Sequence, residues 1–381
     1  MNAISSTPVE RALALEALIR KHADQAEREC RLPAVVADAL STSRLYRIGA
    51  PLAYGGEEAS PLTQIETIET VSRFDGSAGW NLMIGIENFG LISPGCDSCK
   101  HMLEDPIVVL CSSTAAVGKA ERDGDGYRIN GSWQFVSGCQ NSSVFAATVR
   151  HEEKGEVGES FHYAIIAEPY FEIEETWDVS GMRGSGSHDV HVRDVWVPFD
   201  QMVAPLGSAH NDSALVRFPL GPRLSYNKVA VGFGLARSAV DVFVDLAEGK
   251  VPRFSSLSLR ERSIAQQAIA EAEVRLRSSR ALVMELVDEM WRKVQDGIEI
   301  TLNEKAIFHI ACSDAARATA ESVDRVCEAA GTSANFKGHP LERIARDVKV
   351  IRQHITVASH HIEDGGRVLL GLPANGMMLK S

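Results

Sequence analysis

The sequence predicts a mainly α-helical protein with a central antiparallel β domain, and three observations predict it. Through the first hundred residues apolar side chains recur at helical spacing, as Leu62, Ile65, Ile68 and Val71 do. From about Ile107 this gives way to short β-rich runs punctuated by turns, and beyond about Ser213 the helical period returns in long segments. A chain of 381 residues is too long for one small core. The expected domains are therefore a helical one over 1–106, a β domain over 107–213 and a helical bundle over 214–381.

In order along the chain, Val9 to Ala39 carries apolar residues at helical spacing among Arg, Glu and Lys, and Pro51-Leu52-Ala53-Tyr54-Gly55-Gly56 breaks the pattern. A second helical run extends from Leu62 through Ser77-Ala78-Gly79-Trp80 toward Phe89. Strands are expected at Val108–Cys111, Tyr127–Ile129, Trp133–Val136, Val144–Val149, His162–Ile166 and Val190–Val197, with a turn at Asp123-Gly124-Asp125-Gly126. Helices are expected near 225–248, 258–294, 302–330 and 340–371; Ser263 to Val294, rich in Ala, Glu, Arg and Leu, suits a long bundle helix.

Composition excludes several classes. Hydrophobic residues at 45% and charged ones at 24% are ordinary for a globular protein, and a net charge of −12 argues against a nucleic-acid partner. No run of eighteen apolar residues predicts a membrane span, and the N-terminus lacks the basic flank and apolar centre of a secretory signal, so the cytoplasm is the expected compartment. Seven scattered cysteines form no disulfide framework and read as small buried hydrophobes. Cys96-Asp97-Ser98-Cys99 has redox-motif spacing without a βαβ unit around it, and His354, His360 and His361 share one segment without sharing a helix face, so no metal site is expected.

Several ordered stretches carry more than a pattern. They are Leu32-Pro33 to Leu40, Gly76-Ser77-Ala78-Gly79-Trp80, Gly126 to Gly138, Trp177 to Val190, and Gly338-His339-Pro340-Leu341-Glu342-Arg343 with Arg346-Asp347. Together they resemble the acyl-CoA dehydrogenase fold superfamily across about residues 30–371, and within it the two-component (group D) flavin-dependent monooxygenases. The resemblance implies an N-terminal helical domain, a β-barrel and a C-terminal four-helix bundle, assembled as a homotetramer. It implies reduced FMN or FAD delivered by a separate NAD(P)H:flavin reductase, O2 as co-substrate, and oxygen transfer from a C4a-hydroperoxyflavin to an aromatic or heteroaromatic small molecule. In the dehydrogenases a Tyr-Glu-Gly-Thr sequence follows the Arg-Asp pair and its Glu removes a substrate proton; here those first two positions hold His354 and Ile355. An isoleucine cannot accept a proton.

The resemblance also assigns residues. Ser137 stands where a hydroxyl meets flavin N5, with Phe135 beside the ring and Trp133 counted with it among the cofactor contacts; otherwise Ser137 closes its own turn. Ser113 and Thr114 stand where the pyrimidine edge is bound, or are plain turn residues. His354, on a helix begun near Pro340 and sharing a face with Asp347, would orient the hydroperoxide or remove a substrate proton with a pKa near working pH; a helix-face histidine bonded to a neighbour is the alternative. Asn88 or Glu87 occupies the neighbourhood where relatives often carry another histidine. Arg253 matches an arginine that reaches a cofactor phosphate, and Gly331 lies in Glu328-Ala329-Ala330-Gly331-Thr332, which resembles an element contacting a neighbouring subunit's cofactor. The Glu328 carboxylate would repel a pyrophosphate, which favours the shorter FMN while leaving FAD open. Gly181-Met182-Arg183-Gly184-Ser185-Gly186-Ser187 is not a dinucleotide fingerprint, since the spacing is wrong and no helix-forming run follows.

Two alternatives accompany this reading. One is an acyl-CoA dehydrogenase or oxidase that uses FAD with its base relocated to Glu271 or Glu273; the other is a catalytically silent helical scaffold.

Overall fold

Thr7 opens the first helix with a reciprocal cap: its hydroxyl accepts from the Glu10 N–H while the Glu10 carboxylate accepts from the Thr7 N–H, which satisfies two orphan donors at once. The structure, a computed structural model, describes residues 6–115, 117–151, 160–205 and 213–380. By Cα proximity the chain divides into two units, one of Met1–Ser60, Asn81–Val179 and Arg183–Arg217, the other of Pro61–Trp80, Ser180–Met182 and Phe218–Ser381.

In chain order the helices are α1 (Pro8–Ala14), α2 (Glu16–Glu29), α3 (Ala34–Thr42), α4 (Pro61–Phe74) and α5 (Gly76–Ile92), then, after the strands, α6 (Ala214–Arg217), α7 (Leu220–Gly249), α8 (Ser263–Gln295), α9 (Leu302–Ala330), α10 (Pro340–Ile351), α11 (His360–Leu369) and α12 (Met377–Lys380). The strands are β1 (Leu110–Ser112), β2 (Gly118–Asp123), β3 (Gly126–Val136), β4 (Val144–His151), β5 (Ser160–Ala167), β6 (Glu172–Glu174), β7 (His188–Pro198) and β8 (Met202–Val203). No described helix is long and apolar enough to cross a membrane.

The first unit is organised by one sheet in the order β6-β7-β3-β2-β4-β5-β8, with β1 also on β4. Its core is Ile129, Trp133, Val136, Phe145, Val149, Val190 and their neighbours, contributed by the inward positions of β3, β4 and β7. The expected turn closes the β2–β3 hairpin, where Asp123 pairs with Gly126 and Gly124 adopts φ 60°. Tyr127–Ile129 and Trp133–Val136, expected as two strands, are one strand whose register shifts at Ile129/Gly131 and Trp133/Val136. The sheet is not wholly antiparallel, because β4 pairs parallel with both β1 and β2. The chain reverses once at the Gly124 hairpin and again after Gly138, which brings β4 back in the direction of β2.

The second unit is a helical bundle in which α7 packs on α4 and α9, α8 on α9, and α10 on α7 and α9. Close approach of α5 to α4 is possible only because residue 79 is glycine: a Cβ there would fall 1.9 Å from the Ser72 Oγ and 2.7 Å from its Cα. Arg237 grips Glu273 through both carboxylate oxygens, Arg275 grips Asp314 likewise, and Arg280 reaches Glu69, so α8 is tied to α7, α9 and α4. The expected helix over 340–371 is two helices, with turns from Arg352 to Ser359 between α10 and α11. The β-branched run Ile355-Thr356-Val357 opposes helix there, and His354 therefore lies beyond the helix rather than on it.

Candidate functional site

In the first unit the register shift late in β3 controls what faces outward. Trp133 points inward, is fully buried, packs edge-on to Phe145 and donates its indole N–H to the Thr148 carbonyl. Two residues later Phe135 adopts φ 59°, an unusual conformation for a bulky residue, and its ring stands 68% exposed. Trp177, 42 positions away in the chain, meets that ring edge-on at a centroid distance of 6.1 Å. Trp133, expected as a cofactor contact, is thus a core side chain, and Trp177 is the aromatic that accompanies Phe135.

Next to this pair runs a chain of three hydroxyls. The Ser137 Oγ lies 2.7 Å from the Ser187 Oγ, which lies 2.8 Å from the Ser185 Oγ; all three residues are buried. Gly138 follows at φ 74°, where its N–H donates to the Ser185 carbonyl at 3.0 Å and an added Cβ would come within 2.6 Å of the Asn81 Oδ1. The Gly-rich stretch 184–187 therefore closes against the end of β3. Neither Ser185 nor Ser187 is singled out in the sequence, and their convergence on Ser137 depends on a contact fifty positions apart.

The other expected residues of this unit are differently placed. The Ser113 hydroxyl donates to the Gln134 carbonyl at 3.2 Å and accepts from the Ala115 N–H, a turn role, whereas Thr114 is exposed. Asn88 is buried and its amide is engaged at both ends, donating to the Leu110 carbonyl at 2.9 Å and accepting from the Ser112 hydroxyl at 2.6 Å. That geometry is of an anchor joining α5 to β1, not of a catalytic group facing a ligand. Glu87 beside it is also buried.

In the second unit His354 sits in the turn after α10, its ring 5.4 Å from that of Trp80 in an edge arrangement. Its Nδ1 lies 3.0 Å from the Thr356 Oγ1 and accepts from the Thr356 N–H at 3.4 Å. Burial, with the positive charge of Lys228 second, lowers its pKa to about 3. The imidazole is thus neutral at ordinary pH, and the expected titration near working pH does not hold. Neighbouring side chains anchor this non-helical backbone. His361 Nε2 bonds the Ile355 carbonyl at 2.7 Å, the Ser225 hydroxyl the Thr356 carbonyl at 2.9 Å, and the Ser313 hydroxyl the Ala358 carbonyl at 3.0 Å. Ile355, at the position of the dehydrogenase base, is 65% exposed and offers no proton acceptor.

Arg253 and Gly331 are exposed, and Lys250 links their segments by donating to the Ala330 carbonyl at 2.6 Å and to Ser333 at 2.8 Å. Gly331, at φ 64°, ends α9. The two cysteines with redox spacing are both buried in short turns, and among the described residues no cluster of His, Cys, Asp and Glu could hold a metal. Of the relocated bases, Glu273 is held ionised by Arg237 and Arg277, its pKa lowered to about 2, and Glu271 pairs with Arg325 on the outer side of α8. The Glu273 carboxylate is not poised to take a proton.

A family profile described as "Acyl-CoA dehydrogenase, C-terminal domain" matches residues 227–359, the stretch from α7 through His354. The structure of 3-HSA hydroxylase from Rhodococcus sp. RHA1 superposes with a TM-score of 0.89 at 24% identity, covering 98% of this chain and 99% of that one. Residues 227–359 thus match that family's C-terminal domain, and the fold of the whole chain is shared with the hydroxylase. The chain is 28% identical to indole-3-acetate monooxygenase of Pseudomonas putida, over 97% of this chain and 95% of that protein. It is 25% identical to the FADH2-dependent resorcinol hydroxylase, oxygenase component, of Rhizobium sp. (strain MTP-10005), over 97% of this chain and 95% of the relative.

Proposed function

We propose that this protein is the oxygenase component of a two-component flavin-dependent monooxygenase: it takes reduced flavin from a separate reductase and uses O2 to oxygenate an aromatic or heteroaromatic small molecule. The observation that carries this is the end-to-end likeness to monooxygenases in a chain whose dehydrogenase base position holds Ile355.

The donor set of the first unit fits a flavin. A projecting aromatic pair, Phe135 and Trp177, gives a planar ring a surface to lie on, and the Ser137-Ser187-Ser185 hydroxyls beside it can donate to a ring nitrogen or accept from a ring N–H. Reduced flavin, when bound, supplies the electrons that activate O2. Ser137 would hold the ring through its hydroxyl and the buried side chains around it would exclude water; in the second unit, His354 offers a neutral imidazole to a ligand. Arg253 offers a cation to a cofactor phosphate. The Glu328 carboxylate near Gly331 disfavours a pyrophosphate there, which supports reduced FMN over reduced FAD. Assembly as a homotetramer and residence in the cytoplasm beside the reductase complete the proposal; exposed Ile264, Val274 and Leu282 on α8 support burial of that face between copies.

The test is anaerobic titration with reduced FMN and reduced FAD, followed by stopped-flow mixing with 18O-labelled O2 and a panel of indolic and phenolic substrates. Binding of reduced flavin, a delayed return of oxidised-flavin absorbance and one labelled oxygen in the product are expected. Immediate reoxidation with no labelled product would overturn the reading, and anaerobic bleaching of bound FAD by an acyl-CoA would replace it with a dehydrogenase.

A further inference from the structure

The hydrogen bonds around His354 decide which of its nitrogens carries the proton. One obligate donor meets Nδ1, the backbone N–H of Thr356 at 3.4 Å, and the Thr356 hydroxyl lies 3.0 Å from the same nitrogen. The backbone N–H can only donate, so Nδ1 must accept it. The opposite arrangement would put the proton on Nδ1, donate it to the Thr356 Oγ1 and turn that hydroxyl toward the Leu224 carbonyl at 3.4 Å. Thr356 is buried, so its N–H would then be left unpaired away from water, at a cost of about 1–3 kcal/mol. The Leu224 carbonyl, inside α7, does not depend on the threonine.

We propose that Thr356 is a positioning residue that fixes His354 as the Nε2–H tautomer, so that the imidazole presents a hydrogen-bond donor and not a base to whatever binds beside it. Among the described residues Nε2 has no recorded partner. Thr356 is held in turn by the Ser225 hydroxyl on its carbonyl, and Ser225 also meets His309 Nδ1 at 3.2 Å, so the orientation is enforced from α7 and α9. A neutral imidazole is the state in which this choice matters, since the protonated ring would donate from both nitrogens. The atom that His354 meets is then an acceptor: an oxygen with a free lone pair, such as a phenolate, a carboxylate or reduced oxygen. A substrate N–H or neutral phenol would find no acceptor at Nε2.

This inference rests on the reading of His354 as a site residue, and its test separates the two. The full chain, labelled with 15N-histidine and free of flavin, is examined by long-range 1H–15N correlation, with His354 assigned by its loss in His354→Gln. Wild type, Thr356→Ser and Thr356→Val, which keeps the backbone donor and removes the one acceptor available to an Nδ1 proton, are all expected to show a single Nε2-protonated imidazole. An Nδ1-protonated His354, or a mixture of tautomers, in the wild type or in Thr356→Val overturns the proposal whatever reaction the protein performs. In oxygenation assays Thr356→Val should lose about five-fold or more in product yield, in line with one hydrogen bond, and Thr356→Ser should recover it. Should Thr356→Val fail to fold, the wild-type spectrum alone decides.

Discussion

Asp347, on α10, accepts a hydrogen bond from the backbone N–H of Met182 at 2.6 Å. The carboxylate is buried, and the neighbouring Arg346 binds the Ser180 carbonyl two residues upstream. Between these contacts Gly181 passes so close that a Cβ would lie 2.5 Å from the Arg346 carbonyl oxygen. The Arg-Asp pair therefore serves as a clamp on the backbone of 180–182, and glycine is the residue that fits beneath it.

Removing the clamp should cost stability. Asp347→Ala leaves the Met182 N–H buried without its charged acceptor and should lower unfolding free energy by about 1.5–3 kcal/mol, whereas Asp347→Asn keeps an acceptor and should cost less. Urea denaturation midpoints check this; equal losses in the two variants would show that the negative charge, and not the acceptor, is what the site requires.

Gly79→Ala should be among the most damaging single-methyl additions in the chain. The new carbon would meet Ser72 backbone as well as its hydroxyl, so α4 and α5 must separate, at about 1–3 kcal/mol or more. Adding Ser72→Ala should not rescue it, because the Ser72 Cα, 2.7 Å away, remains. Thermal denaturation of the single and double variants makes the comparison.

The order of elements was legible because it rests on local periodicity. The long helices near 263–295 and 302–330, the hairpin at Gly124 and the strand at 188–198 all follow from spacing and turn chemistry within a few residues. The site was less legible because side-chain direction depends on distant partners. Trp133 faces inward and Phe135 outward only because the register against β7 slips between them, and Asn88 is engaged by Leu110 and Ser112, which no local pattern places beside it. His354 leaves the helix because side chains from α7, α9 and α11 supply the hydrogen bonds its backbone loses.

That difference predicts opposite phenotypes for two nearby residues. Trp133→Phe should destabilise the chain by about 1–3 kcal/mol, through the lost volume and the lost bond to the Thr148 carbonyl, with flavin affinity unchanged. Ser137→Ala, which removes one buried hydroxyl from the serine chain, should cost about 0.5–1.5 kcal/mol, less than Trp133→Phe. It should weaken binding of reduced flavin and shorten the delay before oxidised flavin returns, by up to about ten-fold. Flavin titration and stopped-flow absorbance on both variants separate core from cofactor contact.

Acid should weaken the fold already above the ordinary carboxyl range. His309 is buried against Ser225 and stacked on His361 at 5.3 Å; burial first, then His361, lowers its pKa to about 4, with Lys305 acting the same way and Asp364 and the Met378 carbonyl opposing. His354 is lowered further, to about 3. Both folded values lie below the unfolded value of about 6.5, so between those limits the unfolded chain binds more protons and stability falls as pH falls. The ion-paired Glu273 and Glu304, held near about 2, lose their contribution as pH falls from the ordinary value of about 4.5 to about 2. The window from about pH 6.5 to about 4.5 therefore belongs largely to the histidines. Urea midpoints measured across it should decline in the wild type, and His309→Gln, which keeps a polar side chain at Ser225 without a titrating ring, should flatten the slope; an unchanged slope would place the proton uptake elsewhere.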